Sequence, residues 1–523
     1  MTIARISSYY ILNDVFHIKF MLDGDMQLTT DNDKISLKYR SIDKDYSYPM
    51  KYKVKDKSIH AWIKLSDIEW RQQDWDIVAD GIKFVYEGNL SKFASCLLFF
   101  NDYYKTKNGH IVCTSINVDK SISLQYIRNI QYRGFGFKLK ERVALVSAAI
   151  YSLVKKKKPI IVIYEKFSKT AQDNGYYLFK YCMDNDIENR YNCRIFYSID
   201  KNSPDYGKLI DYKQNVLDFM SLRYLRIVLN ARLLVSTDSK AHAYPTPFYG
   251  GFLQSFIRKR PLIFLQHGVT AFKKVDFLYG KTAYGSCDRF VVTSDFEHDI
   301  VRDNFGYNED EIVVTGFARW DVIEDKTAGK KEILVCPTWR KWLEDMETDM
   351  FMESRFYKEY TEFLNSDELA GLLEENDITL NFYLHSKFKE YIGDFKLKTD
   401  KIKLIPFGSV ALNELIMSSK LLITDYSSVA WDAYYIDHPV IFFQFDSEDY
   451  LREHGSYIDF DTELFGDRIT DGGANALVDS IRRHVESDFE LSALARCHRD
   501  MYFKYRDKDN CKRIVEIMGE FLN

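Results

Sequence analysis

Hydrophobic patterning divides the chain into two textures. Over the first 130 or so residues apolar and polar positions alternate in short runs. "VFHIKFML", "KISLKYRSI", "YKVKDKSIHAWIKL" and "HIVCTSINV" are rich in β-branched and aromatic residues, and turn clusters such as "DGD" and "TDND" separate them. Period-two alternation bounded by turn residues predicts half-buried strands. Residues 1–135 therefore read as a small β-rich domain. From residue 160 the alternation gives way to unbroken apolar runs: "IIVIYE", "CRIFYSID", "ARLLVSTD", "PLIFLQHG", "DRFVVTSD" and "EIVVTG", then "EILVCPTWR", "ITLNFYLHSK", "IKLIPF", "KLLITDYSS" and "PVIFFQFD". Runs of this kind, with helix-like stretches between them, predict parallel strands buried on both faces. So many strand–helix alternations imply two doubly wound lobes rather than one sheet. The seam is expected near "WDVIEDKTAGKK", giving lobes over 136–325 and 326–523, and the amphipathic "NCKRIVEIMGEFLN" is expected to pack back on a lobe.

Between the two textures lies "FKLKERVALVSAAIYSLVKKKKP". Its apolar stretch from Val143 to Val154 ends in Lys155 to Lys158. The stretch is shorter than the roughly 18 to 20 residues of a membrane span. It suits an interfacial helix beside anionic lipid headgroups. It equally suits a helix buried between domains whose lysines complement the helix dipole.

Composition narrows the class. At 523 residues the chain exceeds one ordinary core. With 46% hydrophobic and 28% charged residues it reads as globular, and nine prolines leave little for long disordered linkers. A net charge of -5 gives no footprint for nucleic acid, so any anion affinity must be local. Cysteines 96, 113, 182, 193, 287, 336, 497 and 511 form no C-x-x-C pair. That excludes zinc ribbons and thioredoxin-like motifs and suits reduced thiols in the cytosol. "MTIARISSYYILNDVF" lacks a signal-peptide pattern. The expected location is cytoplasmic, with residues 137–159 as the one place for a peripheral contact on the cytoplasmic face of the cell membrane. The aromatic and basic content of the β-rich segment suits polymer or membrane contact, or an ordinary core with its surface.

The candidate chemistry sits at strand ends. Gln266-His267-Gly268, Thr315-Gly316, Pro337-Thr338-Trp339-Arg340, His385-Ser386-Lys387 and Thr424-Asp425-Tyr426-Ser427-Ser428 all follow apolar strands. In open α/β sheets that edge binds ligands. Ser427 and Ser428 can cap the following helix, and the same amides can hold phosphate. Asp425, a carboxylate at a strand tip, must be hydrogen-bonded or functional. Arg340 offers a planar fork for phosphate, Lys387 a point charge and His385 a donor. A diphosphate is the natural ligand for that set. His267 is the basic group of the first lobe that could face it, either as a hydrogen-bonded turn residue or as a proton-transfer group. Gly268 would let a substrate approach the backbone closely. Lys273 and Lys274 could steer an anionic polymer or form a solvated loop. No Walker loop, strand-borne GxGxxG or HExxH occurs, which weakens ATPase, NAD and zincin readings. Asp459 and Asp461 form a D-x-D triplet of the type that holds Mg2+ on a nucleotide-sugar, a weak signal among 77 acidic residues.

Taken in order, "QHGVT", "VTGFARWD", "CPTWR", "LHSK" and "TDYSSVAWD" followed by "DHPVIFFQFD" resemble the CDP-glycerol glycerophosphotransferase family, which builds teichoic-acid and related poly(polyol phosphate) chains. The resemblance covers about 160–523, with Asp173-Asn174 in the family's N-lobe segment. It implies a GT-B-like pair of Rossmann-like lobes with the active site in a cleft. It implies transfer of a polyol phosphate, most simply glycerol phosphate, from CDP-glycerol or a related CDP-alcohol to a hydroxyl of a polymer or lipid-linked acceptor, with CMP leaving. On this similarity His267 is the catalytic histidine. Thr338, Arg340, His385, Thr424, Asp425, Ser427 and Ser428 bind the donor, joined by Lys387 from its chemistry. No cofactor is implied firmly; Mg2+ stays open. Many members read His-Gly-Thr-Pro where this chain has His-Gly-Val-Thr, and Arg-x-His-Pro where it has "YLHSK". Two rivals share the architecture: a glycosyltransferase using a nucleotide-sugar in surface polysaccharide synthesis, and a non-catalytic polymer-binding protein.

Overall fold

The computed structural model describes residues 2–23, 35–40, 46–71, 73–86, 103–116, 121–128, 135–153, 158–244, 252–283, 285–343, 348–384, 395, 397–461 and 466–522. The chain divides into two compact units. One is Met1–Lys157 with Leu217–Ala231 and Lys240–Arg260; the other is Lys158–Val216 with Arg232–Ser239 and Pro261–Asn523.

The first unit is built on two sheets. One orders Lys51–Lys55, Ser58–Lys64, Val15–Leu22, Thr2–Leu12 and Ile82–Tyr86 side by side; the other orders Ser47–Pro49, Ser36–Tyr39, Gln73–Val78, Ile122–Arg128, His110–Ile116 and Tyr103–Lys105. The alternation read from the sequence is the reason. Phe16, Ile18 and Phe20 point inward from one strand, and Ile59, Ala61 and Ile63 from its neighbour. They meet Leu37, Trp75, Val112 and Leu124 of the second sheet in one core. Burying side chains of this size contributes about 1.5–3 kcal/mol each. The helix Phe135–Ser152 packs on the helix Leu222–Leu229 of the same unit. Ala144 and Ala148 are buried, while Leu139, Val143, Val146, Ile150 and Leu153 form an exposed stripe at helical spacing.

The second unit holds both doubly wound lobes. In the first lobe Arg194–Ile199, Ile160–Tyr164, Leu233–Ser236, Leu262–Phe264, Arg289–Val292 and Ile312–Val314 lie in that order, all parallel. In the second lobe the order is Ile402–Ile405, Thr379–Tyr383, Glu332–Val335, Leu421–Thr424, Val440–Phe443 and Asp467–Ile469, again all parallel. The expected strands are present, and their side chains are buried on both faces. Each sheet reverses its direction of winding once: between Ile160–Tyr164 and Leu233–Ser236 in the first lobe, and between Glu332–Val335 and Leu421–Thr424 in the second. Ligands of such sheets bind in the crevice beyond those reversal points.

Two features join the lobes. Phe272, five residues past the Gln266-His267 turn that follows the first-lobe strand Leu262–Phe264, is buried against Trp431, Phe442 and Phe460 of the second lobe. The terminal helix Asn510–Glu520 packs on the first lobe, where the Asp321 carboxylate accepts from the Asn510 and Cys511 amides at 2.9 and 2.7 Å. Among the described residues no helix is long and apolar enough to cross a membrane.

Candidate functional site

The first-lobe crevice is lined by three loops. One follows Ile160–Tyr164, one Leu233–Ser236 and one Leu262–Phe264. The first is shaped by Glu165, a buried carboxylate that accepts from the Thr170 hydroxyl and the amides of Gln172, Asp173 and Tyr176. Burial, then the charge of Asp173, push its carboxyl up to about 7. Folding the loop this way delivers Asp173 as N-cap of the helix Asn174–Asp184. Asn174 then reaches across and donates to the carbonyls of Leu265 and Gln266 at 3.2 and 2.9 Å.

Those bonds hold an unusual turn. Gln266 adopts a left-handed φ of 58°, a conformation that costs a bulky residue of order 1–3 kcal/mol and persists only when its surroundings fix it. Its side-chain Nε2 donates to the Val291 carbonyl and to Glu297. Glu297 is fully buried and also accepts from the amides of Thr270 and Thr293. "SDFE" has the spacing of a capping box. Ser294 does cap its helix, but Glu297 serves the neighbouring loops instead.

The turn presents His267 between two carboxylates. Nδ1 lies 2.7 Å from Asp173 Oδ2 and Nε2 lies 3.3 Å from Asp238 Oδ2, with 44% of the side chain exposed. Burial opposes a charged ring, but the hydrogen bonds to Asp173 and then Asp238 prevail and hold the pKa at about 9. At neutral pH the ring is an imidazolium and both nitrogens donate. Asp238 itself is fixed by the Ser239 amide and the Tyr279 hydroxyl.

In the second lobe the expected donor residues fall into two groups. Thr424 is buried, its hydroxyl bonded to the Cys336 carbonyl at 2.6 Å. Asp425 is buried too. It accepts from the Thr338 amide and hydroxyl and the Tyr426 amide, and it pairs with Arg340 at 2.8 Å. Arg340 has no exposed surface, and its remaining nitrogens clasp Asp446 at 2.7 and 3.0 Å. The guanidinium is thus spent on two buried carboxylates. It fixes the "CPTWR" and "TDYSS" turns to each other rather than facing solvent as a free phosphate fork. Thr338, Ser427 and Ser428 remain half-buried at the strand edge, and the Val429–Tyr435 helix starts without a side-chain cap from Ser428. His385 and Lys387 lie outside the described residues.

The two crevices meet. A Cβ built on Gly268 would lie 2.1 Å from the Ser428 hydroxyl and 2.7 Å from its Cβ. The bare backbone expected to admit substrate therefore admits the other lobe's turn. Beside this contact Arg319 clasps Asp432 at 2.9 and 3.0 Å and reaches Asp173 Oδ1 at 3.2 Å. Lys273 lies 5.8 Å from the Trp339 ring, which brings a first-lobe cation beside the "CPTWR" turn. The Asp459–Asp461 triplet does not suit Mg2+, because Asp461 is turned onto Arg468. Among the described residues no group of three or more His, Cys, Asp or Glu side chains converges as a metal site. Asp238, Arg319 and Asp432 were not singled out from the sequence. Asp238 ends the "ARLLVSTD" strand and carried the same strand-tip signal as His267. Arg319 and Asp432 lie inside quoted motifs, but only the fold shows that they pair.

The family model described as CDP-Glycerol:Poly(glycerophosphate) glycerophosphotransferase matches residues 147–519. The minor teichoic acid biosynthesis protein GgaB of Bacillus subtilis (strain 168) is 28% identical over 382 residues, covering 70% of this chain and 40% of GgaB. The teichoic acid ribitol-phosphate polymerase TarL of Staphylococcus aureus (strain NCTC 8325 / PS 47) is 27% identical over 288 residues, covering 50% of this chain and 48% of TarL. The chain thus spans about half or less of the length of these relatives. A structure of the wall teichoic acid polymerase TagF soaked with CDPG superimposes with a TM-score of 0.52 at 17% identity, over 73% of this chain and 96% of that one, which supports the fold alone. With a match across most of its length, and with the motifs gathered at two abutting crevices, the chain belongs to the CDP-glycerol:poly(glycerophosphate) glycerophosphotransferase family.

Proposed function

We propose that the chain transfers a polyol phosphate from a CDP-alcohol, CDP-glycerol first among them, to a hydroxyl of a polyol-phosphate polymer or lipid-linked acceptor. The observation that carries this reading is the packing of the His267–Gly268 turn against Ser428. It sets the His267 turn of one lobe beside the helix start of the other, which supports His267 as the proton-transfer group. The acceptor oxygen attacks the donor phosphorus distal to the nucleoside. The bond from that phosphorus to the bridging oxygen breaks, and CMP leaves with the electron pair. Asp173 keeps a proton on Nδ1, so Nε2 receives the proton of the attacking hydroxyl. Ser427, Ser428 and Lys273 offer donors to the diphosphate, with His385 and Lys387 as further candidates, while Thr338 spends its amide and hydroxyl on Asp425. Arg340 and Asp425 act behind them by holding the two turns together.

A pKa of about 9 has a kinetic consequence. As a base His267 works through its neutral fraction, about 1% at pH 7. The rate should therefore rise about tenfold per pH unit until it levels near the pKa. The test is CMP release from a panel of CDP-alcohols, with UDP-sugars as controls. His267→Ala should lose about 10²–10⁴-fold. Near-normal turnover by that variant, or a preference for UDP-sugars, would sink the reading.

The exposed stripe of Leu139, Val143, Val146, Ile150 and Leu153 supports a peripheral lipid contact. A helix with one apolar face and basic flanks lies in the headgroup region. Sedimentation with phosphatidylglycerol vesicles should be lost in Val146→Asp/Ile150→Asp. Equal sedimentation of parent and variant would refute the contact.

A further inference from the structure

The outer face of the five-stranded sheet carries a pattern that the transferase site does not use. Residues directly opposite each other on antiparallel strands share a face. The register aligns Tyr10, His17, Trp62 and Lys51 in one row across four strands, and Ser8, Lys19, His60 and Lys53 in the next. The rows flanking them add Lys64 on one side and Lys55 on the other. The rings form a continuous half-buried strip. Tyr10 stacks on His17 with centroids 4.8 Å apart, His17 lies 5.2 Å from His60, and His60 lies 5.3 Å from Trp62. Around the strip Lys19, Lys51, Lys53, Lys55 and Lys64 are exposed.

Among the described residues no ion pair engages Lys19, Lys51, Lys53 or Lys55; Lys64 has only Asp14 and Asp67, at 3.8 and 3.9 Å. Of the nearby carboxylates Asp23 is held by Arg5, and Asp56 lies exposed in the turn after Lys55. Both histidines are kept below the ordinary value. For His17 the causes are burial, then His60 and Lys19; for His60 they are burial, then Lys19 and Lys53. The face is therefore an aromatic strip in a positive field. Flat rings suit the C–H surfaces of polyols or sugars. The lysines of Lys51–Lys55 recur every second residue, about 6.8 Å apart, and suit a charge that repeats along a chain.

We propose that this face binds an anionic phosphodiester polymer of polyol units, holding the chain that the transferase site extends or starts from. This rests on the polyol-phosphate reading of the site for the identity of the polymer. A lipid surface is the weaker match. The rings lie half-buried within the pleat rather than protruding, and the fully exposed groups are mostly lysines.

The test uses the full chain, with lipid-free poly(glycerol phosphate) and, separately, phosphatidylglycerol vesicles. The parent should bind polymer with an affinity that falls steeply with salt. Lys19→Ser/Lys51→Ser/Lys53→Ser should bind about tenfold more weakly, three exposed charge contacts each being worth a factor of a few. Trp62→Ala should weaken binding at high salt as well, where the ring contact persists. The exposed lysines can be replaced without touching the core, so the triple variant stays informative if Trp62→Ala fails to fold. The inference is overturned if the parent does not bind polymer, if the triple variant binds it as the parent does, or if the variant loses vesicles alone. Failure of the parent to release CMP from CDP-alcohols would be read in a different assay and would overturn the transferase reading instead.

Discussion

Asp238→Asn should move the pH dependence of turnover down by about one unit. In the parent His267 is raised from the ordinary 6.5 to about 9 although burial opposes its charge, so the two flanking carboxylates supply all of the rise. Asp173 at 2.7 Å is the stronger partner and Asp238 at 3.3 Å the weaker. Removing the weaker charge leaves somewhat more than half of the effect in place, and each pH unit is a tenfold change in the neutral ring. The amide keeps an acceptor for the Ser239 amide, which Asp238 now holds at 2.7 Å, so the loop should persist. The assay is the initial rate of CMP release at subsaturating donor across pH, since kcat/KM reports groups of the free enzyme. The parent should rise with unit slope and level near 9, and the variant should level about one unit earlier. The absolute rate can fall in the variant; the inflection is the readout. A parent that levels at 6.5, or a variant with the parent's inflection, would refute the base assignment or the role of Asp238. Stability offers an independent check. A raised histidine pKa contributes stability that is fully present below 6.5 and lost as pH rises through about 9. The parent should therefore lose more thermal stability across that window than Asp238→Asn does.

Three further outcomes follow from the same geometry. Gly268→Ala places a methyl where Ser428 lies; it should destabilise by about 1–3 kcal/mol and depress turnover, with recovery in Gly268→Ala/Ser428→Gly but not with Ser428→Ala, whose Cβ still collides. Arg340→Met leaves Asp425 and Asp446 buried without their cation and should cost about 3–5 kcal/mol in urea unfolding; unchanged stability with weakened CDP binding would restore Arg340 as a direct ligand. Arg319→Lys keeps the charge but not the fork; it should lower kcat with little change in KM and shift the pH inflection, whereas a merely structural role would leave the inflection in place.

The lobes were legible because their strands are apolar on both faces, a pattern that survives without knowledge of partners. Strand tips were legible for the same reason: a polar residue that ends an unbroken apolar run must be at the sheet edge. His267, Ser427 and Ser428 were placed at the sheet edge in this way, and Asp238 could have been. Arg340 shows the limit of the argument. Its type and position fit a phosphate fork, but Asp425 and Asp446, 85 and 106 residues further on, consume it. Sequence spacing cannot reveal a neutralising partner that only the fold brings near. Gly268 is similar: the pattern marks a close approach, and only the packing names Ser428 as what approaches. Several strands were not read, among them Thr2–Leu12, Gln73–Val78, Ile82–Tyr86, Ile122–Arg128 and the edge strand Asp467–Ile469. Thr2–Leu12 hides its alternation behind a bulge between Ile6 and Ser8, and Asp467–Ile469 is only three residues long.

The charged groups around His267 are better understood as an orienting device than as a stabilising one. Ser428 and Asp432 lie one helical turn apart, hence on one face of the short helix that follows the strand Leu421–Thr424. Ser428 meets Gly268, and Asp432 takes the Arg319 fork. Arg319 then holds Asp173 Oδ1, which leaves Oδ2 for His267. Signs alternate along Asp432, Arg319, Asp173, His267 and Asp238. Burying such an array costs desolvation that its attractions barely repay, and Phe272 against Trp431, Phe442 and Phe460 already supplies an apolar seam between the lobes. What the seam cannot supply is direction. Apolar contacts tolerate rotation, whereas a bidentate guanidinium fixes a carboxylate in its plane. Docking of that helix and the protonation of His267 are thereby set by the same few bonds, so a change in how the lobes engage would reach the ring as a change in its pKa.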